Sequence, residues 1–363
     1  ITLEVMAYLE ANHISVKPYL EVEQDLKRQA KRRLVISSSL NGQLKSAIKN
    51  PITLSPSPVS LMKCIKNETE QNGFRRAMER DGVAMVRFLS RLDEHVAEGN
   101  FTEVNADKVL TALRAEGDRY CSLSFGTIAA YGPNGAIVHY EAEADSAAVI
   151  EARGLLLLDS GAQYEDATTD LTRTVALGRL TEEERKAYTL VLKAHISLAM
   201  GRYPEGITGL QLDTAARYQM WLEGYDFGHG TGHGVGHVLC VHEGPQGMRQ
   251  NLLDQPILPG MVTSCEPGMY CEGQYGIRHE NMILCYEDEA NEFGDWLAFM
   301  TLTCTYIDTT PLVEELLTED EKMFIDCFNT SVYETLVPDL TPEEAAWLKT
   351  KTIDCLFEPE EEL

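Results

Sequence analysis

Apolar residues recur at helical spacing in a long segment that begins near residue 67. Asn67 and Glu70 have the spacing of a capping box, which indicates where this helix begins. The apolar positions that follow share one helical face, and they are Phe74, Ala77, Met78, Met85, Phe88, Leu89, Leu92 and Val96. A second helix is predicted over 104–113. Short apolar or alternating runs then predict strands at 122–130, 136–140, 155–159 and 167–176.

The same order of elements occurs a second time. Capping boxes that begin at Thr181 and Thr208 start two more helices, and strands are predicted at 235–241, 261–265 and 277–285. Segments 66–176 and 181–285 therefore each contain two helices followed by strands. Although the two segments have no obvious residue identity, the pattern predicts two structurally related halves.

The two ends of the chain have patterns of their own. Residues 1–57 contain helical stretches at 5–9 and 22–31 and a short apolar strand at 34–37, which is typical of the end of a small α/β domain. The proline- and serine-rich stretch PITLSPSP, residues 51–58, is predicted to be a linker. Residues from about 311 are helical, with capping boxes that begin at Thr318 and Thr341. We expect an α+β protein with three regions, 1–57, 58–310 and 311–363.

Composition and charge narrow the classes of partner. The chain has 363 residues, of which 44% are hydrophobic and 24% charged, the balance of a globular protein. Its net charge of −26 repels phosphate backbones and anionic lipid, so we expect no nucleic-acid partner. No apolar run approaches the roughly 20 residues that cross a bilayer, so we expect no membrane partner. Nine cysteines without a C-x-x-C pair favour reduced thiols in the cytoplasm.

Two pairs of carboxylates interrupt apolar strands. Asp159 ends the run LLLL, and Asp170 lies in the next predicted strand; Glu266 and Glu280 flank a second turn-rich stretch. A hairpin in each place would bring its two carboxylates together, although the first pair by itself also fits turn aspartates on a surface hairpin. Four carboxylates in one pocket need about two divalent cations, because they cannot all remain ionised without compensation.

The segment GHGTGHGVG, residues 228–236, adds imidazoles. A helix is excluded because five of its nine residues are glycine. In an extended chain His229, His233 and His237 share one face, and the glycines lie on the other. With His233 as a nitrogen ligand, the oxygen-rich donor set suits Mn²⁺, and also Co²⁺ or Zn²⁺. Two metal ions that share such a pocket can activate a water, which points to a hydrolase.

Four motifs carry a resemblance to a known family: LLLLDSGAQY…TTDLTRT, GHGTGHGVG…VHEGP, SCEPGMY and GIRHEN. Over residues 58–310 they resemble the pita-bread metallopeptidases, in the branch of aminopeptidase P and prolidase. The resemblance implies a pita-bread (creatinase/aminopeptidase-like) catalytic domain with pseudo-twofold duplicated α-helix/β-hairpin halves. Relatives of this kind carry N-terminal domains, and we expect residues 1–57 to be the C-terminal remnant of such an α/β domain.

The resemblance also implies roles for single residues. Two divalent metal ions, Mn²⁺ before Zn²⁺ or Co²⁺, would be bound by Asp159, Asp170, His233, Glu266 and Glu280. Asp170 and Glu280 would bridge the two ions, and Glu266 would act as general base and then as general acid. The substrate side would be lined by His139, His229 and His242, with His139 and His242 taking part in catalysis. Tyr270 and Arg278 would orient a ligand carboxylate.

By the same resemblance, the chain is expected to be a cytoplasmic, metal-dependent Xaa-Pro aminopeptidase. It would hydrolyse the N-terminal bond of peptides that have proline at position 2, through a hydroxide that bridges the two metal ions. The assembly implied is a homodimer. One alternative is a prolidase, which cuts only Xaa-Pro dipeptides. Another is a pita-bread protein that binds peptides without catalysis, which the full set of five ligand residues disfavours.

Overall fold

The computed structural model describes residues 2–29, 31–54, 57–251 and 255–353. The chain divides into two compact units, Ile1–Met62 and Lys63–Leu363. Helix Pro58–Cys64 spans the division. The three regions expected from the sequence, with bounds at 57/58 and 310/311, remain a prediction.

The first unit contains a small parallel sheet and short helices. In chain order its elements are α1 (Leu3–Ala11), a 3₁₀ turn (Tyr19–Glu21), α2 (Val22–Arg28), β1 (Leu34–Ser37), α3 (Gly42–Ser46) and β2 (Pro51–Leu54). Strand β2 pairs in parallel with β1, Leu34 opposite Pro51, so the linker expected at 51–58 is wrong for residues 51–54. Pro51 fits a strand here because proline is tolerated at the first position of an edge strand. Residues 55 and 56 of that expected linker lie outside the described residues.

The first half of the second unit follows α4 (Pro58–Cys64). It contains helices α5 (Glu68–Leu89), α6 (Leu92–Ala97) and α7 (Glu103–Ala115), then strands β3 (Tyr120–Leu123), β4 (Ile128–Tyr131), β5 (Leu155–Ser160), β6 (Ala162–Tyr164), β7 (Ala167–Thr168) and β8 (Leu171–Ala176). The expected capping box of Asn67 and Glu70 is present. The long helix ends at Leu89 instead of continuing to Val96, which belongs to α6.

The second half repeats this order and is followed by C-terminal helices. Its elements are α8 (Glu182–Ala199), β9 (Tyr203–Pro204), α9 (Gly209–Trp221), β10 (Gly232–His233), β11 (Gly247–Met248), β12 (Val262–Cys265), β13 (Gly268–Cys271), β14 (Tyr275–Arg278), β15 (Asn281–Asn291) and β16 (Gly294–Thr301). Then come α10 (Glu319–Leu336) and α11 (Pro342–Thr352). Val332, Leu336 and Leu348 of these two helices are buried in the same hydrophobic cluster as Phe88 of α5.

The two halves use the same strand arrangement. In the first, β5 pairs antiparallel with β8, and β6 and β7 lie between them in the chain. In the second, β12 pairs antiparallel with β15, and the hairpin β13–β14 lies between them. The halves meet where the backbone N–H of Glu280 donates to the carbonyl of Thr172 at 3.1 Å. This arrangement confirms the predicted fold class.

Two predicted strands are wrong. Residues 136–140 form no strand, because the chain turns at Gly132, where φ is +54°, into a 3₁₀ turn over Gly132–Ala136. Residues 235–241 form a loop, in which Val238 has φ of +53° and the Gly236 N–H donates to the Cys240 carbonyl. A backbone that bonds to itself in this way cannot also continue a ladder.

A buried ion pair joins the two long helices of the first half. Arg114 of α7 donates from Nε and Nη2 to the two carboxylate oxygens of Asp81 of α5, both at 2.8 Å, and neither side chain is exposed. We expect Asp81→Ala to destabilise the fold by about 3–5 kcal/mol, because it leaves an uncompensated buried guanidinium. The melting temperature measured by circular dichroism should fall clearly. In the exposed pair of Arg153 and Glu151, Glu151→Ala should change it little; equal shifts for both variants would contradict this expectation.

Candidate active site

A cavity of about 450 Å³ lies in the second unit where strands of both halves approach each other. Among its lining residues are nine of the ten site residues predicted from the sequence, namely His139, Asp159, Asp170, His229, His233, His242, Glu266, Arg278 and Glu280. The tenth, Tyr270, lies behind them and contacts His229 and Arg278. The fold therefore brings together residues that lie up to 141 positions apart in the chain.

The four carboxylates come from equivalent places in the two strand pairs. Asp159 lies on β5 and Asp170 directly precedes β8, whereas Glu266 directly follows β12 and Glu280 directly precedes β15. One ligand atom each of Asp170, His233 and Glu280 lies within 4.8 Å of the other two. Glu266 is also close, because its Oε1 lies 3.4 Å from Nε2 of His233.

His233 is held so that one ring nitrogen faces the carboxylates. Its Nδ1 lies 3.1 Å from the carbonyl of Gly234, which suits a donating Nδ1–H. Nε2 is then directed toward Asp170 Oδ2 and Glu266 Oε1, both at 3.4 Å. Ser264 braces the same group, since its Oγ accepts from the His233 N–H at 3.0 Å and lies 3.2 Å from Glu266 Oε1.

Glycine is required beside this histidine. A Cβ at Gly232 would lie 1.9 Å from the backbone oxygen of Ser264, which is far inside van der Waals contact. The close backbone approach that the glycine pattern indicated is present at Gly232, whereas an added Cβ at Gly228 would have nothing within 4 Å.

Two carboxyl groups and one histidine of this cavity have raised pKa values. Burial, together with neighbouring carboxylates, raises the pKa of Asp170 to about 7, and the same causes raise the pKa of Glu280 well above its ordinary value. Burial lowers the pKa of His233, but the contacts with Asp170 and Glu266 outweigh it and raise the pKa to about 9. The Asp159 Oδ1 and Glu280 Oε1 atoms are buried without a hydrogen-bond partner in the described part of the chain. Oxygen atoms in this state, next to an imidazole nitrogen, fit the donor set of divalent cations.

A chain of hydrogen bonds links Asp159 to His229. Nη2 of Arg278 donates to Asp159 Oδ2 at 2.6 Å, and Nη1 donates to the Tyr270 hydroxyl at 2.7 Å. The hydroxyl oxygen lies 2.8 Å from Nε2 of His229, whose Nδ1 lies 2.7 Å from the Gly230 carbonyl. The Tyr270 hydroxyl therefore donates to His229, and both ring nitrogens of His229 are occupied.

The other predicted histidines differ in their surroundings. The His242 ring packs edge-on against that of His233, with the centroids 4.2 Å apart, and burial lowers its pKa. His139 lines the cavity from the irregular segment after Gly132–Ala136. The expectation that His237 shares a face with His229 and His233 is wrong. Its ring packs against Phe74, with the centroids 5.6 Å apart, because the chain turns after Gly236.

Sequence reasoning missed two residues that support the site. The Thr172 hydroxyl donates to Glu280 Oε2 at 2.8 Å and accepts from Arg278 Nε at 3.2 Å. The alternating threonines of 167–176 are the signal that could have found it, because they place a row of hydroxyls on one strand face.

Glu103 is the second, and it is a fully buried carboxylate. Its oxygens accept from the Tyr131 N–H at 2.7 Å, the Tyr140 hydroxyl at 2.8 Å and the Ala148 N–H at 2.8 Å. It thereby holds both ends of segment 131–148, which contains His139. The sequence offers no signal for this role, because Glu103 occupies an ordinary first position of a helix.

Comparison with known families adds an independent finding to this geometry. Residues 72–287 match the model of metallopeptidase family M24, and residues 295–354 match the C-terminal region of this family. The chain belongs to metallopeptidase family M24. Residues 1–70 of this M24 chain match the creatinase/prolidase N-terminal domain.

The chain is similar to named proteins that are longer than it is. The chain is 40% identical, over 96% of its length, to a probable Xaa-Pro aminopeptidase P of Pyricularia oryzae. It is 34% identical over 97% of its length to the X-prolyl aminopeptidase of Caenorhabditis elegans, described as a cytosolic enzyme with a di-nuclear active site, with a TM-score of 0.92. The M24 chain spans 60% of the length of each.

A dipeptidase is also similar in structure. The Xaa-Pro dipeptidase of Bacillus anthracis is 27% identical, with a TM-score of 0.67 over 81% of this chain and 79% of that one. Among the helices in the part of the M24 chain that the structure describes, none has the length and apolar character needed to cross a bilayer.

The support that Glu103 gives to segment 131–148 can be tested without substrate. Glu103→Gln replaces one acceptor oxygen by an amide that faces donors, at a cost of about 1–3 kcal/mol. We expect amide hydrogen exchange to accelerate in 131–148 but not in β5 or β8. The exposed Glu151 provides the control Glu151→Gln, which should leave exchange unchanged. Unchanged exchange in both variants would contradict the assigned role.

The protonated cavity predicts how metal removal affects stability. The folded pKa of Asp170, about 7, exceeds its ordinary 3.8, and that of His233, about 9, exceeds its ordinary 6.5. At these two groups the metal-free folded chain binds more protons than the unfolded chain, so their contribution to stability falls as pH rises through 4–7 for Asp170 and through 6.5–9 for His233. Bound cations would displace these protons. We expect the difference in melting temperature between manganese-loaded and chelator-treated protein to grow from pH 6 to pH 9. A constant difference would contradict the raised pKa values of Asp170 and His233 in the metal-free protein.

Proposed function

We propose that this M24 chain carries the catalytic machinery of a dinuclear-metal aminopeptidase that hydrolyses the bond between an N-terminal residue and a following proline. The observation that supports this most is the meeting of five candidate ligands from both halves in one cavity. The names of the similar relatives agree with this activity. The substrates would be peptides with proline at position 2.

The cavity would hold two divalent cations. We propose Mn²⁺ first, with Zn²⁺ or Co²⁺ as alternatives, because four carboxylates and one imidazole form an oxygen-rich donor set. The ligands would be Asp159, Asp170, His233, Glu266 and Glu280, with Asp170 and Glu280 shared by both ions. When bound, such a pair lowers the pKa of a water and polarises the scissile carbonyl.

Glu266 would move the proton. Its side chain is 18% exposed, the most accessible of the four carboxylates, and it faces the cavity. In the proposed reaction it accepts a proton from the attacking water and returns it to the nitrogen of the leaving proline, so that the amine departs uncharged. The Ser264 contact to Oε1 fixes the orientation of this carboxylate.

The histidines would handle the substrate in different ways. Burial lowers the pKa of His229 and of His242, so both are neutral at neutral pH. Because Tyr270 and the Gly230 carbonyl occupy both ring nitrogens of His229, this residue would offer its ring to the substrate proline and no hydrogen bond. His242 and His139 would supply N–H donors to the scissile carbonyl and to the oxyanion that forms from it.

We also propose a cytoplasmic location, in line with the description of the Caenorhabditis elegans enzyme as cytosolic. The homodimer implied by the resemblance remains a prediction.

The activity can be tested with two peptides. Metal-stripped protein reloaded with Mn²⁺ is incubated with Arg-Pro-Pro and separately with Ala-Pro, and free arginine or alanine is followed by mass spectrometry. We expect release of arginine from the tripeptide. Glu266→Gln should lower the rate by about 10²–10⁴-fold, since it removes the group that transfers the proton. Glu151→Gln, an exposed change, should match the unaltered chain.

The other outcomes separate the alternatives. Cleavage of the dipeptide alone would move the assignment to prolidase. Two bound metal ions without cleavage of either peptide would contradict the proposed activity and favour the non-catalytic peptide-binding alternative.

A further inference from the structure

A buried arginine lies behind the ligand-bearing strands. Arg173 of β8 is 2% exposed, and it has no carboxylate within ion-pair distance among the described residues. Nη1 donates to the carbonyls of Glu280 at 2.7 Å and Thr172 at 2.9 Å, and Nε donates to the carbonyl of Tyr306 at 2.9 Å. Nη2 donates to Asn281 Oδ1 at 2.7 Å. The guanidinium thus donates to backbone carbonyls of both halves and to the Asn281 side chain, and not to a carboxylate counter-ion.

Asn281 extends these contacts to His195 of helix α8 and, through it, to strand β12. Its Nδ2 lies 3.0 Å from Nε2 of His195, which is 1% exposed. An amide nitrogen only donates, so Nε2 accepts and Nδ1–H donates to the Cys265 carbonyl at 3.0 Å. Arg173, Asn281 and His195 therefore form one continuous hydrogen-bonded set, called here the backing network.

The backing network contacts the backbone at Glu280 and next to Glu266, and it comes near Asp170 and Asp159 through Thr172. Cys265 directly precedes Glu266, and the Glu280 carbonyl is itself an acceptor of Arg173. Thr172 lies two residues after Asp170 and stands opposite Asp159 in the register of β5 and β8. The cavity thus has its ligands on one side of these strands and directed donors on the other.

We propose that the backing network preorganises the cavity for metal ions, with Arg173 as its central positioning residue. This inference rests on the metal site of the proposed function. Carboxylates that repel one another move apart unless the backbone that carries them is fixed. The planar fork of arginine can hold several carbonyls at set angles, and its permanent charge offsets part of the repulsion without competing for the ligand oxygens. Lysine has neither the fork nor as many donors.

The test measures metal binding without any peptide. Mn²⁺ is titrated calorimetrically into the metal-stripped chain. Arg173→Lys, which keeps the charge but loses the fork, should weaken Mn²⁺ affinity by about 10–100-fold, the range typical of residues that orient metal ligands. Saturating Mn²⁺ should then restore much of kcat, because the ligands themselves are intact.

The matched control is Arg114→Lys. Arg114 is as deeply buried, but its hydrogen bonds go to Asp81 and to no ligand-bearing strand. This variant should lose thermal stability and keep its Mn²⁺ affinity. Equal affinities of Arg173→Lys and the unaltered chain would overturn the inference, as would an equal loss of affinity in Arg114→Lys.

His195 supplies a second pair of variants in case Arg173→Lys does not fold. His195→Leu removes both hydrogen bonds and should weaken Mn²⁺ binding, whereas His195→Gln, whose amide can accept and donate, should retain more affinity. Equal affinity in these two variants would overturn the inference. A chain that binds none of Mn²⁺, Zn²⁺ and Co²⁺ would instead refute the proposed function, whereas strong binding that is insensitive to the backing network would refute only the positioning role.

Discussion

Four carboxylates share one largely buried cavity, and their mutual repulsion sets the condition that the surrounding structure has to meet. In the absence of cations, burial and this repulsion raise the pKa of Asp170 and of Glu280. Two divalent cations would satisfy the same oxygens without protons. The close carboxylates therefore lower the stability of the metal-free folded chain, and bound cations would offset this loss.

The two halves of the fold meet this condition with equivalent strand pairs. Each half places two carboxylates at the ends of an antiparallel strand pair, where the backbone hydrogen bonds of the ladder hold them. The backbone contact between Thr172 and Glu280 is one of those that join the two pairs at one cavity. Because the positions are set by strand ladders and not by flexible loops, the carboxylates can remain close although they repel.

The histidines around the cavity depend on the same rigid frame. His233 directs Nε2 at the carboxylates because its Nδ1 is bonded to the Gly234 carbonyl, and Gly232 allows the close approach of Ser264 that braces it. His229 is linked through Tyr270 and Arg278 to Asp159, so a change at Asp159 would reach His229 by hydrogen bonds. Glu103 holds the segment of His139 from a helix outside the cavity.

The sequence by itself determined most of the helices and strands, and it singled out the candidate site residues. Capping boxes predicted the helix starts, and Asp159, Asp170, Glu266 and Glu280 stood out because charged residues in apolar strands are costly without a partner. It could not determine the loop of 235–241 or the place of His237, since extended and turned backbones share the same glycine pattern. Nor could the sequence reveal that Glu103 holds segment 131–148 or that hydrogen bonds link Arg173 to His195. Only the tertiary structure decided these, because a buried polar side chain is defined by acceptors and donors that lie far away in the chain.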